Sequence, residues 1–320
     1  MRTQPPVRPE PRTRTLDAPP SLGPLLARGA LLSPFKRPRP DAPVPATRLV
    51  LPGARIDLAH LAAYERVCGF PTGADALPVT YPHVLAFPLA MRILAGRAFP
   101  LPLLGLVHTS IEITGHRECP ADAEYELAVL VERLAPHRRG TEATVLTEAR
   151  VQGALAWESR STYLARHSPR DPGKDGDPGR EQGRGHDGDR RPDPTRDHRH
   201  GPDPRRDSEP LPALAEWHLA PDVGRRYGAV SGDRNPIHLH PLTARLLGFP
   251  RAIAHGMWTV ARCLAEYGPG ETARVRAEFR APVLLPGTVT YAARGPRFEL
   301  RSGERVHVTG AVGPTHARDE

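Results

Sequence analysis

An aspartate and a histidine five residues apart, Asp233 and His238, flank Asn235-Pro236 in the stretch SGDRNPIH. Pro236 has no amide hydrogen and disfavours helix at the residue before it, so this segment bends. A bend can turn a carboxylate and an imidazole toward one point. Imidazole titrates near neutral pH, where general acid/base catalysis is most efficient. Seventeen residues beyond His238, Ala254-His255-Gly256-Met257 opens an apolar pattern of Met257, Val260, Ala261 and Leu264 at helical spacing. Gly256 then lies at a helix N-terminus, where free N–H groups and the dipole favour negative charge. An acid/base pair followed by a backbone oxyanion donor is a catalytic layout. Asn-Pro and Ser-Gly are also ordinary turn dipeptides, and an aspartate before such a turn is often an Asx or N-cap residue. The joint pattern carries the chemical reading, not any single pair. Ser231 lacks the G-x-S-x-G surroundings of a hydrolase nucleophile, so it and Tyr227 support the segment.

The rest of the chain must position these groups. Residues 1–45, rich in Pro and Arg and without periodicity, read as a disordered arm. Residues 46–167 read as a first folded domain. It has helices over 58–67 and, starting near Pro88, over 87–94, then strands around 107–113, 125–131, 141–151 and 156–164. Residues 168–210, dominated by Pro, Gly, Asp, Arg and His, read as a solvated linker. Residues 211–320 form a second folded domain, with a helix over 257–267 and strands around 275–279, 289–291, 298–300 and 306–308.

The two halves repeat each other. Tyr64-x3-Cys68-Gly69 matches Tyr227-x3-Ser231-Gly232, and the helix 87–94 aligns with 257–264, sharing Arg92 and Arg262. On this alignment Phe70 stands where Asp233 stands and Ala86 corresponds to Gly256. No Asn-Pro-x-His follows in the first half. That half has kept the scaffold and lost the acid/base residues.

The second-half stretch resembles the signature of the MaoC-like dehydratases, the R-specific enoyl-CoA hydratase family. The matching residues are Tyr227, Ser231-Gly232-Asp233, Asn235-Pro236-Ile237-His238, Ala244, Gly248-Phe249-Pro250 and Ile253 to Met257. The resemblance implies an α+β hot-dog fold, a helix wrapped by an antiparallel sheet, here doubled within one chain. It implies reversible hydration of trans-2-enoyl thioesters to (R)-3-hydroxyacyl thioesters. The substrates would be carried on coenzyme A or acyl carrier protein. Asp233 and His238 would then be the acid/base pair, Asn235 would orient loop or water, and the Gly256 amide would receive the oxyanion. Ser231, Tyr227 and His255 would lie on the substrate side, with Tyr81, Phe87 and Leu89 as apolar channel wall. No metal and no cofactor is expected. A hot-dog thioesterase and a non-catalytic acyl-thioester-binding subunit are the competing readings.

Composition narrows the partners. The formal charge of +8 is concentrated in residues 1–40, which carry eight basic and two acidic side chains, while residues 168–210 carry ten and eleven. No basic helix interleaved with aromatics occurs, which argues against nucleic acid. No apolar run approaches the length of a membrane span. Three scattered cysteines, Cys68, Cys119 and Cys263, point to a reducing cytoplasm. One chain supplying both hot-dog units leads to the expectation of a monomer or a homodimer.

Overall fold

Residues alternating at period two make the sheet, and two largely buried helices pack against it. The computed structural model describes residues 11–39, 41–167, 210–268, 270 and 273–315. The first half holds β2 (Thr47–Arg55), α2 (Leu58–Cys68), α3 (Tyr81–Leu94), β3 (Leu106–Gly115), β4 (Glu124–His137), β5 (Gly140–Val151) and β6 (Ala154–Arg166). The second holds β7 (Ala213–Leu219), α4 (Val223–Ser231), α5 (Pro236–Leu239), α6 (Pro241–Leu246), α7 (Gly256–Tyr267), β8 (Ala273–Phe279), β9 (Gly287–Arg294), β10 (Arg297–Ser302) and β11 (Arg305–Pro314). The halves are topologically equivalent. Strands run β2-β4-β5-β6-β3 in the first and β7-β9-β10-β11-β8 in the second.

The expectation of two separate sheets is refined here. β3 and β8 pair antiparallel, from Ser110↔Glu278 to Thr114↔Arg274, and join the halves into one continuous sheet. Glu112 pairs with Arg274 and Arg276 across this seam. The helices cross-link the halves as well: the Trp258 indole of α7 donates to the Val67 carbonyl of α2 at 2.9 Å. Burial is nearly complete along α3 and α7, with Leu89, Leu94, Val260 and Leu264 wholly inaccessible. A helix apolar on most of its circumference belongs in such an interior.

The repeat alignment holds at the first helix of each half. α2 and α4 end at Cys68 and Ser231, and both are capped by a left-handed glycine, Gly69 (φ 84°) and Gly232 (φ 76°). Their Tyr64 and Tyr227 rings meet at 6.2 Å. The alignment fails at the long helix. α3 starts at Tyr81, six residues before the expected Phe87, and carries Pro88 in its interior. Proline removes one ladder bond there, but burial of the helix outweighs the local preference. Tyr81, not Ala86, therefore stands at the helix start that matches Gly256.

The N-terminal arm departs most from expectation. Residues 12–15 form β1 (Arg12–Thr15), which pairs parallel to the edge of β2, and α1 (Leu22–Leu32) follows. The Ser33 hydroxyl donates to the Gly29 carbonyl at 2.7 Å, and the Lys36 ammonium caps α3 by donating to the carbonyls of Leu94 and Gly96. Composition hid this because Pro24 lies in the first turn of α1, where its missing N–H costs nothing. Leu22, Leu25 and Leu26 then pack against the core at helical spacing. Residues 1–10 and the expected linker, apart from Pro210, lie outside the described residues. Among the described residues no helix is long and apolar enough to cross a membrane.

Candidate active site

α4 ends in the left-handed Gly232, and the chain turns sharply into Asp233. The turn is tied by its own side chains. The Asp233 amide donates to the Ser231 hydroxyl at 3.2 Å, and the Asn235 amide donates to the Asp233 carboxylate at 3.2 Å. Asn235 then caps α5, its side-chain oxygen accepting from the Ile237 amide at 3.3 Å. Pro236 opens α5, the position proline favours. This places His238 one turn into α5, 8% exposed.

The hydrogen bonds assign the tautomer. His238 Nδ1 lies 2.8 Å from the Ile253 carbonyl, which can only accept. The proton is therefore on Nδ1, and Nε2 carries the lone pair. His255 Nε2 lies 2.8 Å from the backbone carbonyl of Asp233 and by the same argument donates to it. Its Nδ1 is buried without a protein partner. The two imidazoles stack with centroids 3.7 Å apart. Asp233, His238 and His255 each bring a donor atom within 4.8 Å of the others.

Burial keeps these rings neutral. It lowers the His238 pKa, with the Asp233 charge and the Ile253 bond acting the other way. His255 is pushed down to about 3, by burial first and by His238 second. Its 3.9 Å approach to the Asp233 carboxylate is therefore a contact of a neutral ring at neutral pH, not an ion pair.

α4 brings this loop close by carrying glycine where the loop crosses it. A Cβ on Gly224 would sit 2.0 Å from the His238 carbonyl oxygen, and one on Gly228 2.9 Å from the Asp233 carbonyl oxygen. Gly256 has a different neighbour: a Cβ there would meet the Phe279 ring at 2.9 Å. His255 is the N-cap of α7 and Gly256 its first residue. The Gly256 amide is thus among the first-turn N–H groups that have no acceptor within the helix.

Asp233, Asn235, His238 and Gly256 line one cavity of about 1250 Å³. This exceeds the roughly 300–1,000 Å³ of a typical small-ligand site. The remaining expected residues divide. Phe87 lines the cavity beside Asp233, and so does His255, although its ring is 2% exposed and holds the loop. Ser231 is buried and bonded to the backbone of the turn, and Tyr227 is 2% exposed with its ring 4.9 Å from His255. Tyr81 and Leu89 are fully buried in the core. The Tyr81 hydroxyl pairs with His60 at 3.0 Å, and its ring packs on Tyr64. The apolar wall expected of those two residues is corrected accordingly: the early start of α3 turns them into the interior. His240 is exposed and caps α6.

Sequence reasoning expected an apolar wall from the first half and missed its polar contribution. His83 from α3, His108 from β3 and Tyr163 from β6 line the same cavity. The His108 ring stacks on Tyr163 at 4.5 Å and leans on Phe279 at 4.8 Å. Burial pushes His83 down to about 4 and His108 to about 3. Alternation assigned His108 to the polar face of its strand. The register shifts between His108 and Ser110, and such a bulge re-aims the side chain.

His83 and His255 give the fold an acid limit. Both are depressed in the folded state, to about 4 and about 3, whereas an unfolded histidine titrates near 6.5. Their stabilisation is complete above about pH 6.5 and is lost as pH falls toward their folded values. Together they remove roughly 3–4 kcal/mol between pH 7 and pH 5. Denaturant melts at the two pH values check this, and equal stability would contradict it.

The fold and the site together define a double hot-dog protein with a carboxylate–imidazole centre in its second half. The sequence comparisons agree. The MaoC like domain matches residues 205–315. The chain is 34% identical over 261 residues to 3-hydroxyacyl-thioester dehydratase X of Mycobacterium tuberculosis, covering 81% of this chain and 84% of that protein. The crystal structure of HtdX of M. tuberculosis superposes with a TM-score of 0.66 at 31% identity, covering 83% of this chain and 99% of that one. A MaoC-like dehydratase from Phytophthora capsici shares the fold, with a TM-score of 0.60 at 16% identity over 87% and 97% of the two chains. The chain belongs to the MaoC-like dehydratase family.

Proposed function

We propose that this protein is a hydro-lyase that reversibly hydrates trans-2-enoyl thioesters to (R)-3-hydroxyacyl thioesters, with Asp233 and His238 acting on one water. The observation that carries this is the His238 tautomer. Nδ1 is committed to the Ile253 carbonyl, which leaves Nε2 as the acceptor nitrogen of a ring that clusters with the Asp233 carboxylate. A water held between the two has both hydrogens engaged and an oxygen lone pair free for C3. As the C3–O bond forms, an O–H bond breaks and its proton passes to Nε2, where the Asp233 charge stabilises the imidazolium. The π electrons of the enoyl group move onto the thioester oxygen, whose charge the Gly256 amide and the α7 dipole receive. Collapse of the enolate takes the proton from Nε2 to C2, so one water is consumed and nothing else. Asn235 fixes the loop, and His255 holds the Asp233 carbonyl so that the carboxylate keeps its place.

Both halves contribute to the cavity, so one chain completes the site and a monomer suffices. Guanidinium groups of Arg234, Arg280 and Arg305 among the lining residues suit an anionic carrier, coenzyme A or acyl carrier protein. Cys68, Cys119 and Cys263 are buried thiols, which fits a reducing cytoplasm.

The test follows enoyl-thioester absorbance on both carriers, with and without a chelator. Two ring nitrogens and a carboxylate within 4.8 Å also form a donor set that a divalent cation accepts. The acid/base reading predicts turnover unchanged after chelation. Loss on chelation and recovery with a divalent ion would replace this mechanism with a metal-dependent one.

A further inference from the structure

We infer that α1, the helix of the N-terminal arm, is the far wall of the acyl channel and sets the chain length the enzyme accepts. The inference rests on the thioester hydratase reading and names a residue that tunes it. Leu26, Ala27 and Ala30 of α1 line the cavity that also contains Asp233 and His238. Apolar residues join them in the lining: Phe87, Met91 and Leu94 of α3, Leu103 of the following loop and Leu106 at the start of β3. An apolar wall continuous with an acid/base centre suits the hydrocarbon end of an acyl thioester.

Several contacts hold α1 in this place. A Cβ added to Gly29 would lie 2.4 Å from a Leu103 methyl and 3.0 Å from the Ala95 methyl, so the helix seats directly on the end of α3. The Ser33 hydroxyl accepts from the Leu104 amide at 3.0 Å, and Lys36 bonds the carbonyls that end α3. At its other end the Leu22 methyl lies 2.4 Å from where a Cβ on Gly232 would stand, beside the catalytic turn. The helix thus spans from the turn that carries Asp233 to the C-terminus of α3. Small residues at Ala27 and Ala30 leave the channel open, and Leu26 narrows it.

Ala30→Phe, Ala27→Leu and Leu26→Ala, each in the full-length chain, are assayed with enoyl-CoA substrates of four, eight, twelve and sixteen carbons. The readout is kcat/KM at each length relative to the four-carbon substrate, with a thermal melt for each variant. Filling an apolar pocket by one or more methylenes costs about tenfold or more for the chain that needs the space. Ala30→Phe or Ala27→Leu should lower kcat/KM for twelve and sixteen carbons at least about tenfold relative to the four-carbon substrate. Leu26→Ala should shift the preference to longer chains. A uniform change at all lengths in folded variants, or unchanged length profiles in all three, would overturn the assignment. The unsubstituted protein separates the two questions: its failure to hydrate any length sinks the hydratase reading, whereas an unaltered profile in the variants sinks only the role of α1.

Discussion

Asp233→Asn lowers kcat/KM for enoyl-thioester hydration by about 10³–10⁴-fold and leaves the melting temperature near that of the parent. The amide keeps the shape of the carboxylate, and its oxygen can still accept from the Asn235 amide at the recorded 3.2 Å. What disappears is the negative charge beside Nε2 and one of the two acceptors for the water. General acid/base groups contribute about 10²–10⁴-fold each. His238→Ala should cost as much, but for a different reason: it removes the ring nitrogen that stays an acceptor once Nδ1 donates to the Ile253 carbonyl. Steady-state rates and thermal melts of the purified variants check both. Wild-type rates in either would end the assignment.

Gly224→Ala should damage both the fold and the site with a single methyl. The new Cβ would stand 2.0 Å from the His238 carbonyl oxygen, a backbone atom with no rotamer through which to yield. α4 and α5 would have to separate, and with them Asp233, His238 and the Asn235 cap. Overpacking of a rigid interior typically costs about 1–3 kcal/mol and occasionally more. Even partial relief would move the imidazole off the water, and small displacements of catalytic groups cost about 10²-fold in rate. The expected outcome is a lowered melting temperature together with loss of hydration. Gly313→Ala is the control, since a Cβ there meets nothing within 4 Å and the residue is not in the left-handed region. A Gly224→Ala protein as stable and active as the parent would show that α4 and the catalytic loop are not locked together.

The turn from Ser231 to His238 was legible because its determinants are local. Ser231, Asp233, Asn235 and Pro236 each act on a backbone group within two residues, so spacing alone encodes the bend. The Gly256 helix start was readable for the same reason, from the onset of an apolar period. What escaped lies at longer range. β2 contains Pro52-Gly53 and shifts register between Leu51 and Ala54, which breaks the alternation that marks a strand. β7 is an edge strand with mostly exposed side chains and so carries a weak pattern. α3 runs through Pro88 because both flanks are buried, a fact that no window of sequence contains. His83 and His108 join the site only because β3 pairs with β8 and brings the first half against the second. The order of the arm was missed because proline and arginine content was weighed above the spacing of Leu22, Leu25 and Leu26.

The central claim is that Asp233 and His238 act together on one shared water, and a double-mutant cycle measures it. Residues that work as one unit show losses far from additive. Asp233→Asn combined with His238→Ala should be no worse than the poorer single variant within about tenfold, with (R)-3-hydroxyacyl thioester as the parent enzyme's product. Single losses that multiply in the double variant would show two groups working at separate points, and the shared-water account would be wrong.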